Sequence, residues 1–244
     1  MKIAIAVTAT GEYWKGAKVL FSTLRKYGRL PDSVDTLAIG VNECDWATPV
    51  EIVADYSWVP VESATFPKVA DKFFAWTLDY DRIIIIDADV MCVGDCSYLW
   101  SNHIGRLPVY ACRDTAAIWY YPSQIEAIGL DHASIFNTGV VVVHPGLFPR
   151  RSPLGGLRRG IESWHLNSYD GSDQGYLNAY FRNTEIGWLP PEYNVCLDPN
   201  MPSLPAYAER LIHFCGGDAN PWRVNVTDWR APYYDRWRAE YDAP

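Results

Sequence analysis

Apolar positions recur along this chain with two alternating periods. Ile3, Ile5 and Val7, separated by Ala4 and Ala6, read as a first buried strand over Ile3–Thr8. Tyr13, Ala17, Leu20, Phe21 and Leu24 then fall at helical spacing, and Gly28 closes that helix. A second strand is expected at 36–41, and Phe66, Val69, Ala70, Phe73 and Phe74 mark a second amphipathic helix. Arg82–Ile86 has a wholly apolar body, as expected of a strand covered on both faces. Further strands read at 109–112 and 140–144, a helix over Asp173–Phe181 and a late strand at 211–214. A terminal helix follows over 232–241, with Pro232 in its first turn. Strands alternating with helices predict an α/β fold, a central sheet flanked by crossover helices. In such sheets ligands bind beyond the carboxyl ends of the strands, and the chemistry is sought there.

Composition narrows the partners. The chain has 244 residues and a formal net charge of −8, enough length for one sizeable domain. The acidity argues against nucleic acid or an anionic membrane surface. A phosphorylated substrate would then need a metal or a local cationic pocket. No apolar stretch reaches the about 18 residues of a membrane span. The apolar start soon meets Thr8, Thr10, Gly11 and Glu12, so it reads as a strand rather than a leader. The six cysteines (44, 92, 96, 112, 196 and 215) are scattered. Cys92 and Cys96 have three residues between them and no second pair to complete a zinc site. They read as reduced thiols of a cytoplasmic protein. Eleven Trp and sixteen Tyr supply flat, polar-tipped rings that suit sugar faces and also fill cores.

Four clusters carry candidate chemistry. Asp87-Ala88-Asp89 follows four isoleucines, and two carboxylates one residue apart can share a hard divalent cation. Phe136-Asn137-Thr138-Gly139 reads as a turn opening the strand at 140, with an amide for hydroxyl groups and a glycine for close approach. In Asp170-Gly171-Ser172-Asp173-Gln174-Gly175, Ser172 or Asp173 can cap the next helix; alternatively Asp173 and Gln174 face a pocket from its first turn. His213, followed by Gly216, Gly217, Asn220, Pro221 and Trp222, offers an imidazole for a borderline metal and free backbone N–H groups for phosphate.

In this order the clusters resemble family eight of the retaining glycosyltransferases, the glycogenin and galactinol synthase family, from about Ile3 to Trp222. Thr8-Ala9-Thr10 with Tyr13 resembles the family's opening, where a tyrosine packs on uracil. Lys72 and Trp76 match its lysine-bearing helix before the metal strand. Arg113-Asp114 resembles its donor-sugar segment, and Leu189-Pro190 with Tyr193-Asn194 a further element. The resemblance implies a GT-A fold with a single Rossmann-like mixed central sheet flanked by helices. Residues 1–115 would form the nucleotide-binding part; 116–244 would form the donor-sugar and acceptor part with the terminal helix. It implies a UDP-sugar donor, Mn²⁺ with Mg²⁺ as the alternative, and a sugar, polyol or glycan acceptor; a homodimer is compatible with it. By position, Asp87, Asp89 and His213 would ligate the metal. Thr8, Ala9, Thr10, Tyr13, Lys72, Arg113, Asn137, Thr138, Gly139, Gly216, Gly217, Asn220 and Trp222 would hold the donor. Asp170, Asp173 and Gln174 would stand beside the reacting sugar.

The chain departs from the family at Asn220, where a lysine usually contacts the diphosphate. The implied activity is retaining transfer of glucose or galactose. The alternative is a non-catalytic nucleotide-sugar or glycan-binding module with a decayed phosphate site. The terminal Trp229, Tyr233, Tyr234, Trp237 and Tyr241 read as a helix packed on the core or a dimer contact, with an acceptor platform as the rival.

Overall fold

The computed structural model describes residues 1–40, 44–50, 72, 75–114, 122–127, 129–147, 173–198, 200, 209–215 and 219–243. Expectations at Phe66, Val69, Ala70, Phe73, Phe74, Asp170, Gly216 and Gly217 lie outside them. The chain opens with β1 (Ile3–Thr8), α1 (Trp14–Lys26), β2 (Val34–Ile39) and β3 (Thr48–Val50). Next come β4 (Arg82–Ile86), β5 (Val90–Cys92), β6 (Val109–Arg113) and α2 (Pro122–Ala127). The remainder is β7 (Phe136–Val143), α3 (Asp173–Phe181), β8 (Ile186–Trp188), β9 (Val195–Cys196), β10 (Leu211–His213) and α4 (Ala231–Tyr241).

Seven strands form one sheet in the order β3-β2-β1-β4-β7-β6-β8. The first four neighbours run parallel, β7 is antiparallel to both β4 and β6, and β8 is parallel to β6. The sheet is therefore mixed. Pleating sends alternate residues to opposite faces. Ile84 and Ile86 join Ile5, Val7, Leu20 and Leu24 on the α1 face. Ile83 and Ile85 join Ala4, Ala6 and Phe181 on the α3 face. This is why β4 carries no polar position between Arg82 and Asp87.

A smaller sheet, β5-β10-β9, lies beside the first. Its apolar side packs Met91, Ile212 and Phe214 against Tyr234 and Trp237 of α4. The terminal aromatics thus pack on the core, as the first of the sequence readings held: Tyr234 and Trp237 are fully buried.

Two boundaries differ from expectation in ways that shape the site. The second strand spans Val34–Ile39 rather than 36–41. Phe136-Asn137-Thr138-Gly139 does not form a turn; it is the first half of β7. Pairing with β6 slips there, from Ala111 opposite Val141 to Cys112 opposite Asn137. Thr138, Gly139 and Val140 fall in the slip, a bulge that frees Thr138 and Gly139 from the β6 ladder. Asn178 on α3 takes up part of the slack: its carboxamide accepts from the Phe136 N–H at 2.9 Å and donates to the Phe136 carbonyl at 2.8 Å. That buried amide, in the second turn of α3, registers the helix against the start of β7.

Candidate active site

Because β7 runs against β4, its amino end lies beside the carboxyl ends of β1, β4 and β6. Thr8, Asp87, Asn137 and Arg113 therefore reach one rim of the sheet from four strands. The chain leaves β4 through Asp87-Ala88-Asp89 and enters β5 directly. Val90 at the start of β5 pairs with His213 at the end of antiparallel β10, and the Phe214 N–H donates to the Asp89 carbonyl at 2.9 Å. This pairing carries His213 to the two aspartates from more than a hundred residues away. Candidate ligand atoms of Asp87, Asp89 and His213 lie within 4.8 Å of one another.

Two glycines make room for this convergence. A Cβ on Gly139 would overlap the imidazole of His213. One on Gly16 would overlap the Ala88 carbonyl oxygen and the Trp222 ring. Neither position needs a positive φ; the requirement at both is space.

The electrostatics divide into two linked groups. In the first, Lys72 Nζ contacts Asp87 Oδ1 and Asp173 Oδ2, each at 2.7 Å. Thr138 Oγ1 donates to the same Asp173 oxygen at 2.9 Å. Burial pushes the Lys72 ammonium down, but Asp173 and Asp87 outweigh it and raise its pKa. Burial raises Asp173, yet Lys72 and Thr138 more than reverse this, and its carboxyl lies below the usual range. Asp87 goes the other way, to about 6: burial dominates, and Asp173 and Asp89 add to it against Lys72. One ammonium therefore serves Asp173 fully and Asp87 only in part.

The second group is a directed chain of amides. Asp114 Oδ2 accepts from Gln174 Nε2 at 2.6 Å and from Asn137 Nδ2 at 3.2 Å. Asn137 Oδ1 accepts from Asn194 Nδ2 at 2.6 Å and the Gly139 N–H at 2.8 Å. Asn194 Oδ1 accepts from His213 Nδ1 at 2.9 Å. The other ring nitrogen, Nε2, stands 3.4 Å from Asp89 Oδ1. Burial opposes charge on His213, but Asp89 and then Cys196 outweigh it and hold the imidazole well above its ordinary value. Asn194 thereby fixes the ring with Nε2 turned towards the aspartates.

At the nucleotide end, Tyr13 and Trp222 meet edge to face at 5.5 Å. Asn220 is buried against the Tyr13 hydroxyl. Arg223 pairs with Glu12 at 3.1 Å on the surface. Thr8 Oγ1 is buried with no hydrogen-bond partner among the described residues, and Ala9 is wholly buried beside it. Thr10 precedes the short turn that carries Tyr13. Arg113 is exposed, donates to the Ala133 carbonyl and lies 4.0 Å over the Trp188 ring.

Sequence reasoning singled out the aspartates, His213, Lys72, Asn137 and Gln174. It gave no role to Asn178, quoted Asp114 and Asn194 only as parts of longer segments, and set Cys196 and Cys215 aside. The signal for Asn194 was its place after Leu189-Pro190 and Tyr193; for Asn178, its position one turn after Gln174.

Residues 67–225 match a family model described as Glycosyl transferase family 8. The chain belongs to this family. Among relatives of the family 8 chain, glycogenin of Neurospora crassa is 34% identical over 166 residues, covering 59% of this chain and 22% of that protein. Human glycogenin-2 is 26% identical over 243 residues, covering 90% of this chain and 43% of that one. The family 8 chain thus spans less than half the length of either relative. The crystal structure of galactosyltransferase LgtC with donor and acceptor sugar analogues aligns with a TM-score of 0.75 at 16% identity, over 98% of this chain and 95% of that one. The fold is GT-A. No helix among the described residues is long and apolar enough to cross a membrane.

Proposed function

We propose that this family 8 protein transfers glucose or galactose from a UDP-sugar to a hydroxyl acceptor, a sugar, polyol or glycan, with retention of anomeric configuration. The observation that carries the reading is the meeting of Asp87, Asp89 and His213 at the sheet rim, beside Asp173 and Gln174. Two carboxylates and an imidazole are a donor set for Mn²⁺ or Mg²⁺; Gly139 lets the His213 ring come close, and the incompletely balanced Asp87 fits such an ion. A divalent cation bound there supplies Lewis-acid stabilisation of the charge that grows on the departing diphosphate.

The remaining roles belong to side chains. Thr8, Thr10, Tyr13 and Trp222 bound the surface for the uridine, with the wholly buried Ala9 behind them. Gly216, Gly217 and Asn220 provide neutral donors for the diphosphate in place of a lysine. Asn137, Thr138, Gly139 and Asp114 orient sugar hydroxyls, while Arg113, held on Trp188, bounds that end. Gln174 has both ends of its carboxamide committed, Oε1 to the Thr138 N–H at 3.3 Å and Nε2 to Asp114. Its orientation is therefore set before a sugar arrives. Asp173, kept ionised by Lys72 and Thr138, supplies negative charge to the cationic anomeric carbon as the bond to diphosphate breaks. Asp170 stands three residues before it. Residues up to about 115 serve chiefly the nucleotide and those from about 116 to 244 chiefly the sugar and acceptor, with Trp222 and Asn220 returning to the nucleotide and Arg113 and Asp114 reaching the sugar.

The test is UDP release from a panel of UDP-sugars by chelator-stripped protein, with and without Mn²⁺, followed by anomeric analysis of the product. Release with UDP-glucose or UDP-galactose that requires the cation and disappears in Asp89→Ala supports the reading. A folded protein that binds the nucleotide sugars but releases nothing with a range of hydroxyl acceptors is instead a binding module.

A further inference from the structure

His213 has two faces, and only one turns to the aspartates. On the other, Cys196 Sγ lies 3.7 Å from His213 Nδ1. Cys196, His213 and Cys215 bring ligand atoms within 4.8 Å of one another. Both cysteines are free thiols and half-buried. β9 and β10 run parallel with His213 opposite Cys196, and Cys215 follows His213 by two residues. The second thiol pair differs: Cys92 and Cys96 stand 3.6 Å apart but are wholly buried.

We propose that Cys196, Cys215 and Nδ1 of His213 form a second metal site, for a thiophilic divalent cation of the Zn²⁺ or Cd²⁺ class, sharing its imidazole with the Asp87–Asp89 site so that the two are not filled together. Two thiolates and an imidazole are the ligands such ions select, where two carboxylates select Mn²⁺ or Mg²⁺. Tetrahedral zinc bonds of about 2.0–2.3 Å place sulfur and nitrogen ligands roughly 3.5 Å apart, close to the separation found here before any ion pulls the groups in. Water can take the fourth position.

The exclusion follows from the ring. A neutral imidazole has one in-plane lone pair. The soft cation takes it at Nδ1 in place of the proton donated to Asn194; that proton leaves the imidazolium together with the thiol protons. The ring's remaining proton then sits on Nε2, facing Asp89, where the hard cation needs a lone pair. The thiol site stands on its own geometry; only the exclusion rests on the function proposed above.

The test uses the reduced, chelator-stripped full chain titrated with Cd²⁺. A thiolate-to-cadmium ultraviolet band should grow and saturate at one ion per chain. It should be lost in Cys196→Ser and in Cys215→Ser, with circular dichroism reporting the fold; Cys196→Ala replaces the first if it does not fold. No band in the wild-type chain, or an equal band in the folded variants, overturns the site. Free Mn²⁺, followed by its paramagnetic resonance, then tests the exclusion. One equivalent of Cd²⁺ should weaken Mn²⁺ binding by about tenfold or more in wild type and far less in Cys196→Ser. Unchanged Mn²⁺ affinity with the band at saturation overturns the shared imidazole. Absence of Mn²⁺ binding before any Cd²⁺ is added defeats the Asp87–Asp89–His213 assignment instead, and leaves the thiol band to decide the second site.

Discussion

β4 is flanked by a buried cation at each end, and the two are held in opposite ways. At its start Arg82 is 2% exposed. Its guanidinium donates to the carbonyls of Leu99, Ser101 and Ile104 and to Nε2 of His144, at 2.7–3.3 Å. No carboxylate pairs with it among the described residues, and burial lowers its pKa. Past its other end Lys72 sits between two carboxylates and its pKa rises. The contrast separates two uses of a buried charge. Carbonyl dipoles fix a guanidinium in one geometry and stitch the segment around 99–104 to the sheet, a structural task. Opposed full charges make a balance that a further ion or a charged ligand can shift, which is what the rim with Asp87 requires.

The comparison can be broken most forcefully at Lys72. Lys72→Met leaves the part-buried Asp87 and Asp173 side by side without their cation. The expected cost is about 3–5 kcal/mol of stability, read by chemical denaturation. Mn²⁺ should restore more stability to this variant than to wild type, since it supplies the missing positive charge. A cost below about 1 kcal/mol would mean water already screens the cluster.

Arg82→Met comes next. It strands buried carbonyls and should cost about 2–3 kcal/mol, while turnover per folded molecule stays as in wild type. Turnover that falls in step with stability would join the two ends of β4 into one functional unit, and the contrast would fail.

Gly139→Ala probes the rim without touching a charge. Its methyl group must displace the His213 ring, so Mn²⁺ affinity should drop by about 10–100-fold, with a packing cost of about 1–3 kcal/mol. Calorimetric titration with Mn²⁺ measures the first and denaturation the second. Unaltered affinity would place the ion clear of His213.

The smallest effect belongs to His144, which accepts from Arg82 and donates from Nδ1 to the Leu107 carbonyl at 2.8 Å. Burial, countered by that carbonyl and aided by Arg82, lowers its pKa. Its unfolded value is about 6.5. Below that the unfolded chain takes up the proton first, so the stability is present above pH about 6.5 and lost as pH falls towards the folded value. Stability curves of wild type and His144→Gln should converge on acidification. Parallel curves would show that the ring keeps an ordinary pKa.

Much of the frame was legible in the sequence because the signals were local. Four isoleucines before Asp87 announced a central strand, the spacing from Tyr13 to Leu24 announced α1, and Pro232 with the aromatics announced α4. Asn137-Thr138-Gly139 looked like a turn because glycine and asparagine interrupt an apolar run. Inside β7 they instead mark a bulge, and a slip in pairing has no signature in one strand alone. β10 reads as a late strand at 211–214, but β5 and β9 are three and two residues long, too short for a period of two to declare itself. The partners of His213 were legible only in part for the same reason: Asn194 and Cys196 from one stretch of chain and Asp89 from another meet it through that small sheet.

The pairing of β5 with β10 also sets an order of assembly. Every strand of the seven-stranded sheet is complete by Trp188, whereas the small sheet closes only when Leu211–His213 docks on Val90–Cys92. Contacts between such distant segments carry a large loop-closure entropy and tend to form late. A nascent chain halted before Leu211 would own both aspartates, Lys72 and Asp173, yet lack His213, the third ligand of the proposed site. The order of synthesis would then withhold that imidazole from the rim until the segment around 211–213 emerges and docks.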